Sequence, residues 1–366
     1  MDNHHRLGPV VFDEIHKLIT DINYRNAFKN FHVLHRVKAT LFALTGTFPQ
    51  HLYPVLCQLT QMTWKVIRTP SWRRELKYKV VKVAREKDMD PAILAHFKQV
   101  LPTYRPEDRG IIFCRSKSEA QTLAALLKVQ PYHGHQDDDV QMVARNVETM
   151  NSWLAGENTV MVSTTILGCG MDYAHIRDVV HRGPSYSIMD QHQEDSRGGR
   201  DKLECRAITF IVENKKYPVS NSEYDLGSQK LNESLQNPTI CQRTTPSLFL
   251  DGVPIQCITL PRAVFCQTCE DDLKSCCSAN IPLRVNQEPN ANRTIPIRQR
   301  TKPHLPPSRN DDLFYEPGPR VDLSQKIRPT KSIGVVIQSS SQTISVSSSS
   351  SSRKKRKLTH ETMPDM

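Results

Sequence analysis

The sequence contains no glycine followed by lysine anywhere in its 366 residues. A P-loop needs a glycine-rich turn ending in lysine and then serine or threonine, because its amides cradle phosphates and its hydroxyl binds Mg²⁺. The sequence therefore contains no loop of this type. It also lacks any apolar run approaching the roughly 18 residues of a membrane-spanning helix, and its N-terminal segment lacks the apolar part of a secretory signal. We expect a cytosolic or nuclear protein with no membrane association.

Charge and cysteine are unevenly distributed along the chain. About +8 of the net charge of +11 lies from Ala279 onward, in a stretch rich in proline, arginine and serine without hydrophobic periodicity. We expect residues 278–366 to form a disordered tail that attracts phosphates non-specifically. In a reducing compartment, the ten cysteines are interpreted as reduced thiols and metal ligands rather than as a disulfide framework.

Before the tail, apolar strand-like runs alternate with helical patterns. The strand-like runs are residues 9–12, 39–45, 110–115, 159–164 and 208–212, and the helical patterns are residues 24–37, 50–62 and 120–127. This rhythm predicts an α/β protein with parallel sheets covered by helices.

Two carboxylates follow the first apolar run, in the segment Asp13-Glu14-Ile15-His16. A buried strand would deliver them to its carboxyl edge, where open α/β sheets bind ligands. A second strand ends in the hydroxyl-rich turn Thr45-Gly46-Thr47, which could sense a bound nucleotide. A D-E-x-H tetrapeptide also occurs by chance on many helices, so its function depends on the neighbouring segments.

The second half carries two further segments in a fixed order. One is a strand that ends in a turn containing Gly168, Gly170 and Asp172, where backbone can approach a ligand closely. The other is the stretch from Gln193 to Asp201, in which two arginines three residues apart suit a guanidinium pair that reaches polyphosphate. A solvated charged helix start would explain the charges but not the order of the segments.

That order resembles the RecQ-like branch of superfamily 2 DNA helicases, over residues 9–277. The resemblance implies a truncated first RecA-like lobe at 1–80, a second RecA-like lobe at 81–212, a zinc-binding subdomain at 213–277 and the tail. Because the first sheet would begin at its carboxylate-bearing strand, we expect residues 1–80 to be loosely ordered. The implied chemistry is hydrolysis of ATP with Mg²⁺, driving 3′-to-5′ movement on single-stranded or forked DNA.

By the same resemblance, Asp13 would hold Mg²⁺ through water and Glu14 would orient or deprotonate the attacking water. His16 would couple these residues to the turn Thr45-Gly46-Thr47. Asp172 would lie near the nucleotide sugar, with Gly170 and Gln193 also assigned to the nucleotide. Arg200 would be the arginine finger and Arg197 its support. The sequence departs from the family pattern in several places. Ile15 and Gly198 each replace a family alanine, and Ser196 replaces a family glycine. The family's aromatic-rich loop after the acidic segment reads Ile19-Thr20-Asp21-Ile22-Asn23-Tyr24 here.

Four cysteines resemble the ligands of the RecQ zinc subdomain, namely Cys241, Cys257, Cys266 and Cys269. A Cys-x-x-Cys pair suits one edge of a tetrahedral site, and thiolates favour zinc. Two alternatives stay open: Cys276-Cys277 could compete as ligands, and the cysteines could be buried or adventitious.

The basic run Arg353–Lys357 after a serine run resembles a nuclear import signal that importin binds, although a non-specific basic tail is the alternative. Together these features predict a partial RecQ-like helicase without autonomous ATPase activity. The rival hypotheses are a non-enzymatic DNA-binding or interaction module derived from a helicase, and an incomplete gene model of an active helicase.

Overall fold

The computed structural model describes most of residues 8–278 and one short segment of the tail. The described ranges are 8–22, 25–37, 39–134, 139–168, 171–219, 222–237, 239–278 and 334–337, with only the backbone described at 168, 276–278 and 334–337. Gly170, the basic run Arg353–Lys357 and nearly all of the predicted disordered tail lie outside these residues.

Strands and helices alternate along the described chain. The strands are β1 (Val10–Phe12), β2 (Leu41–Thr45), β3 (Lys65–Arg68), β4 (Leu76–Val83), β5 (Arg109–Cys114), β6 (Pro131–Tyr132), β7 (Val160–Ser163), β8 (Ile176–Arg182), β9 (Cys205–Val212) and β10 (Gly334–Ile337). The α-helices are α1 (Lys17–Thr20), α2 (Tyr53–Thr60), α3 (Met89–Val100), α4 (Lys117–Leu127), α5 (Val140–Ala155), α6 (Ile188–Asp195), α7 (Ser228–Gln236), α8 (Thr244–Asp251) and α9 (Gln267–Ser278). The helical pattern at 24–37 forms a 3-10 helix, Asn26–Arg36. Among the described helices, none combines the length and the apolar character needed to cross a bilayer.

The strands form two sheets, both parallel throughout. The smaller sheet has the order β1-β2-β10-β3 and the larger has the order β4-β9-β8-β5-β7-β6. The predicted α/β class is confirmed. In the larger sheet the chain passes from β7 to β8 across β5, so the segments that follow β7 and β8 meet beside a switch in strand order, where such sheets bind ligands.

The tail contributes one strand to the smaller sheet. Gly334–Ile337 pairs in parallel with β2 on one side and with β3 on the other. These four residues form a strand, and the disordered tail expected for residues 278–366 stays a prediction. Their sequence, Gly-Val-Val-Ile, is rich in β-branched residues that fit a pleated sheet.

The division between the two sheets lies earlier than residue 80, where the sequence analysis placed it. Strand β4 pairs with β9 along its whole length and is an edge strand of the larger sheet. Because of its lysines, the sequence of β4 resembles that of an exposed surface segment. Lys77 contacts Glu270 of α9 at 2.5 Å, and Lys82 donates to the carbonyl of Gln236 at the end of α7 at 2.7 Å. These contacts show that the following helices cover the edge strand.

The smaller sheet shares its apolar core with helices from the later part of the chain. One cluster of buried side chains combines the smaller sheet and its helices with α6, α7 and α8. Its members include Ile15, Leu18, Leu41, Ala43, Phe48, Leu56 and Trp64 from the first part of the chain, and Ile188, Met189, Ile211, Leu231, Leu235, Phe249 and Leu250 from the later part. In residues 1–80, which were expected to be loosely ordered, many apolar side chains of the described part are therefore buried in a core shared with α6, α7 and α8.

Alternate residues of the larger sheet face opposite layers, as the period of a strand requires. Ile112 of β5 packs with α3 and α4 on one face, whereas its neighbours Ile111 and Phe113 pack with Trp153 of α5 on the other. All three β5 residues are at most 3% exposed. A sheet covered on both faces presents only its strand ends for function.

Candidate functional site

The acidic segment and the hydroxyl-rich turn lie at one edge of the smaller sheet. Strands β1 and β2 are parallel neighbours, so the residues that follow them emerge side by side. Nδ1 of His16 lies 2.8 Å from Oγ1 of Thr45 and 3.1 Å from Oε2 of Glu14. His16 and Thr45 are buried, whereas Asp13 is exposed at the rim. The structure brings these predicted site residues together, and their catalytic roles stay predictions.

Gln193 joins this edge to α6. Its Nε2 lies 3.1 Å from Nε2 of His16 and donates to Oε2 of Glu14 at 3.4 Å. The sequence analysis assigned Gln193 to the nucleotide, and the structure places it against these two side chains. It is therefore the residue through which the two halves of the site meet.

The donor and the acceptor of each hydrogen bond in this group follow from the chemistry of Gln193. An amide nitrogen can only donate, so Nε2 of His16 accepts from Gln193 and the imidazole proton is on Nδ1. Nδ1 can then donate to Oγ1 of Thr45, whose hydroxyl donates to the carbonyl of Thr47 at 3.1 Å. A displacement of Gln193 would therefore change the hydrogen bonds of His16 and of the turn at Thr45.

Glu14 is held in an unusual backbone conformation. Its φ of 53° lies in the left-handed region, which costs a non-glycine residue about 1 kcal/mol or more. Burial raises the pKa of its carboxyl, but the hydrogen bond from His16 and the positive charges of Lys17 and Arg197 outweigh burial, and the net shift is downward. Glu14 is therefore ionised at neutral pH and able to accept a proton or a hydrogen bond.

The two arginines after α6 face the segment that follows β7. Arg197 is buried and donates to the carbonyl of Met171 at 2.7 Å, whereas Arg200 forms an ion pair of 2.5 Å with Asp172. The carboxylate of Asp172 is 82% exposed. The predicted finger and the residue predicted near the sugar are thus partners of each other. Gly170, from the same segment, lies outside the described residues.

The turn between the two arginines needs glycine at both of its central positions. A Cβ on Gly198 would lie 2.2 Å from the sulfur of buried Cys205, and Gly199 has a φ of +60°. Alanine, the family residue at 198, does not fit beside Cys205. The departure from the family pattern at Gly198 therefore has a packing cause.

A buried histidine lies beneath α6. Nε2 of His181 is 2.9 Å from the carboxylate of Asp195, and its Nδ1 is 3.4 Å from that of Glu194. The hydroxyl of Ser185 donates to Glu194 as well. Burial by itself lowers the pKa of His181, but the hydrogen bonds to Asp195 and Glu194 outweigh it and raise the pKa to about 9.

We predict that His181 makes stability depend on pH. Because the folded pKa of about 9 exceeds the unfolded value, this stabilisation is complete below pH 6.5 and is lost as pH rises toward 9. The shift corresponds to about 3 kcal/mol in total. Urea unfolding between pH 6.5 and 8.5, below the range where thiols dominate, should show the free energy of unfolding falling. The His181→Gln variant should remove this slope, and an equal slope in both proteins would contradict the assignment.

The four predicted cysteine ligands converge in the C-terminal part. The sulfurs of Cys241, Cys257, Cys266 and Cys269 all lie within 4.8 Å of one another. Cys241 is 3.6 Å from Cys257 and 3.8 Å from Cys266. Tetrahedral zinc with Zn–S bonds of about 2.3 Å requires sulfurs about 3.8 Å apart. The cluster can hold a metal ion, and its spacing fits zinc.

The alternative ligand pair lies farther along the same helix. Cys269 is in the first turn of α9 and Cys276-Cys277 in its last, about 10 Å away at 1.5 Å per residue. Although the spacing between Cys257 and Cys266 in the sequence is long, the two residues lie close together, since the amide of Cys266 donates to the sulfur of Cys257 at 3.2 Å. The backbone geometry favours Cys241, Cys257, Cys266 and Cys269 as the metal-binding set.

Three buried residues near these sites have no sequence signature. Arg73 follows β3, His181 ends an apolar run in β8, and Arg243 is two residues from a cysteine ligand. Each contacts the site or its support through partners more than ten residues away. A charged residue beside an apolar run is a weak hint of such burial, because an unpaired charge there would be costly.

The comparisons with known proteins agree with the order of these segments. Residues 92–202 match the family described as Helicase conserved C-terminal domain. The chain is 26% identical over 230 residues to ATP-dependent DNA helicase RecQ of Bacillus subtilis, covering 59% of the chain and 37% of that relative. It is 26% identical over 267 residues to ATP-dependent DNA helicase Q1 of Mus musculus, covering 68% and 39%. Over these ranges the chain is similar to DNA helicases of the RecQ family.

The chain spans well under half the length of these relatives, 37% of the bacterial protein and 39% of the mouse protein. A shorter match, to a putative ATP-dependent DNA helicase Q1 of Caenorhabditis briggsae, has 32% identity over 106 residues and covers 28% of the chain and 16% of the relative. Among solved structures, S. cerevisiae Dbp5 bound to RNA and ADP BeF3 aligns with a TM-score of 0.48 and 16% identity, covering 63% of this chain and 57% of that chain.

Proposed function

We propose that the chain is part of a RecQ-like, ATP-dependent 3′-to-5′ DNA helicase and carries the hydrolytic side of its nucleotide site. The observation that supports this most is the contact of Gln193 with both Glu14 and His16. It joins the acidic segment and the Thr45 turn to the helix that precedes Arg197. We assign residues 1 to about 75 to the first lobe, the larger sheet to the second lobe, and 213–277 to the zinc subdomain.

In this proposal, Asp13 and Glu14 act on Mg²⁺ and water. Carboxylate oxygens suit Mg²⁺, and the exposed position of Asp13 allows it to bind the ion through water. When bound, the ion neutralises phosphate charge. The lowered pKa of Glu14 keeps its carboxylate available to orient or deprotonate water, while His16 and Gln193 hold it in place.

The arginines act on the charge that develops on phosphate. Arg197 is held by its contact with Met171 and supports the turn, whereas Arg200 pairs with Asp172 at the surface. Its ion pair with exposed Asp172 is screened by solvent and therefore weak. A phosphate could replace Asp172 as the partner of Arg200, which would release Asp172 toward the nucleotide sugar.

We predict that the purified 366-residue chain binds single-stranded or forked DNA but has no appreciable DNA-stimulated ATPase activity. The reason is that its sequence contains no glycine-lysine pair, and losing one preorganised electrostatic element costs about 10² to 10³ in rate. Phosphate release and fluorescence anisotropy with labelled oligonucleotides measure the two properties.

Three outcomes bear on the rival functions. Robust turnover that is abolished by Glu14→Gln would refute the ATPase prediction and support a complete active site in this chain. DNA binding without turnover would fit both a partial helicase and a non-enzymatic DNA-binding module, and an in-frame P-loop upstream of Met1 in the genomic DNA would identify the partial helicase. Absence of both activities would refute the proposed function.

We further propose that the four-cysteine cluster binds Zn²⁺. We expect about one zinc atom per chain, because one tetrahedral site has four thiolate ligands. The Cys266→Ser/Cys269→Ser variant should lose the metal, as measured by mass spectrometry of the native protein. The matched control, Cys276→Ser/Cys277→Ser, should keep it. Unchanged zinc in the first variant would exclude this ligand pair.

A nuclear location is proposed from the basic run Arg353–Lys357, as expected for a chain that acts on DNA. We predict that deletion of residues 353–358 shifts a fluorescent fusion from nucleus to cytoplasm, because importin would lose its basic peptide. Deletion of the serine run at 347–352 removes the same number of residues and should leave the distribution unchanged. Nuclear accumulation after the first deletion would show that the import signal lies elsewhere.

A further inference from the structure

Arg73 holds the turn that carries the two candidate catalytic arginines. Its side chain is 1% exposed and donates to three carbonyls of that turn, those of Ser196, Gly198 and Gly199, at 3.0 to 3.1 Å. Its Nε also pairs with Glu75. A guanidinium is the side chain whose fork can serve several acceptors at once. Arg73 therefore fixes the backbone between Arg197 and Arg200.

Arg243 holds the segment that contains Arg73. It is 3% exposed, and its fork donates to the carbonyls of Arg73, Leu76 and Val264. Its Nε lies 3.2 Å from the sulfur of Cys257. Among the described residues Arg243 forms no ion pair with a carboxylate, and the cysteine sulfur lies where a negative partner would be expected. Zinc with four thiolates carries net negative charge, which would balance this buried cation.

The two arginines form a continuous path, since Arg243 bonds to the backbone of Arg73. We propose that Arg243 and Arg73 are positioning residues that couple the cysteine cluster to the turn of Arg197 and Arg200, so that metal binding sets the order of that turn. The inference rests on the proposed zinc site. It deepens the proposed function by giving the metal site a regulatory effect on the nucleotide site.

The path runs through contacts that the structure describes. A metal that draws Cys257 into a tetrahedral site would hold Arg243 through its Nε contact, and Arg243 donates to the carbonyls of residues 73 and 76. The turn packs against Cys205 and has backbone hydrogen bonds of its own, and Arg73 adds three side-chain hydrogen bonds to its carbonyls. Loss of these three hydrogen bonds would loosen the turn.

Hydrogen exchange with mass spectrometry tests the coupling on the full chain, with zinc bound and after chelation. The reporters are the amides of Arg197, Gly198 and Gly199, each hydrogen-bonded at 3.0 to 3.1 Å. In the wild type, metal removal should speed their exchange roughly tenfold or more, the effect of losing a hydrogen bond from a charged group. Peptides from α3 should not change. In Arg73→Gln, exchange of the turn should be fast with or without zinc, at unchanged zinc content.

Arg182→Gln is the matched control, since this buried arginine of the larger sheet bonds to Glu86, Asp90 and Glu119 and not to the turn. It should keep the metal response. If Arg73→Gln does not fold, Arg73→Lys serves instead, because one ammonium cannot reach three carbonyls and the response should shrink. Bound zinc without any response of the turn, or an equal response in wild type and Arg73 variants, would overturn the coupling alone. A wild type without zinc would overturn the metal assignment and the coupling together.

Discussion

Helix α6 is held from three directions, and the geometry of the candidate site follows from its position. Ile188 and Met189 anchor it in the core that it shares with the smaller sheet. His181 lies beneath it between two carboxylates, and Arg73 binds the carbonyls just beyond its end. Close-packed interiors allow few intermediate arrangements, so α6 has little freedom to move alone. The reach of Gln193 to the opposite sheet is therefore fixed by packing remote from the site.

Much of the fold could be predicted from the sequence because buried parallel strands are continuous apolar runs. Strands β1, β2, β5, β7 and β9 were recognisable in this way. Strands β4 and β8 were not, since each carries charged residues that tertiary partners neutralise. Asp178 in β8 is fully buried, yet it accepts from His96 and Arg206 at 2.7 to 2.8 Å. Neighbours distant in sequence decide whether such a residue can lie in a strand.

The candidate site was predictable where its residues follow strands, because parallel strands bring their carboxyl ends to one edge. The coupling of His16 to the turn at Thr45 was expected from the family resemblance, and the two side chains are in contact. The sequence could not reveal that Gln193 contacts the acidic segment, because that contact depends on how two units pack. Nor could it reveal Arg73 and Arg243, whose hydrogen bonds go to backbone carbonyls. Every residue has a backbone carbonyl that can accept a hydrogen bond, so a sequence pattern does not indicate which carbonyls a buried arginine contacts.

The ion pair between Arg200 and Asp172 positions the guanidinium, yet the exposed carboxylate can be replaced by another anion. A buried ion pair between them would hold the guanidinium firmly, since desolvated charges separate at high cost. Here the carboxylate is 82% exposed and water competes for it. Arg197, by contrast, is buried against the carbonyl of Met171. The turn is held by buried contacts while the terminal charge of Arg200 lies at the surface. In the proposed nucleotide site, this combination would let the guanidinium pass from a carboxylate to a phosphate with little reorganisation.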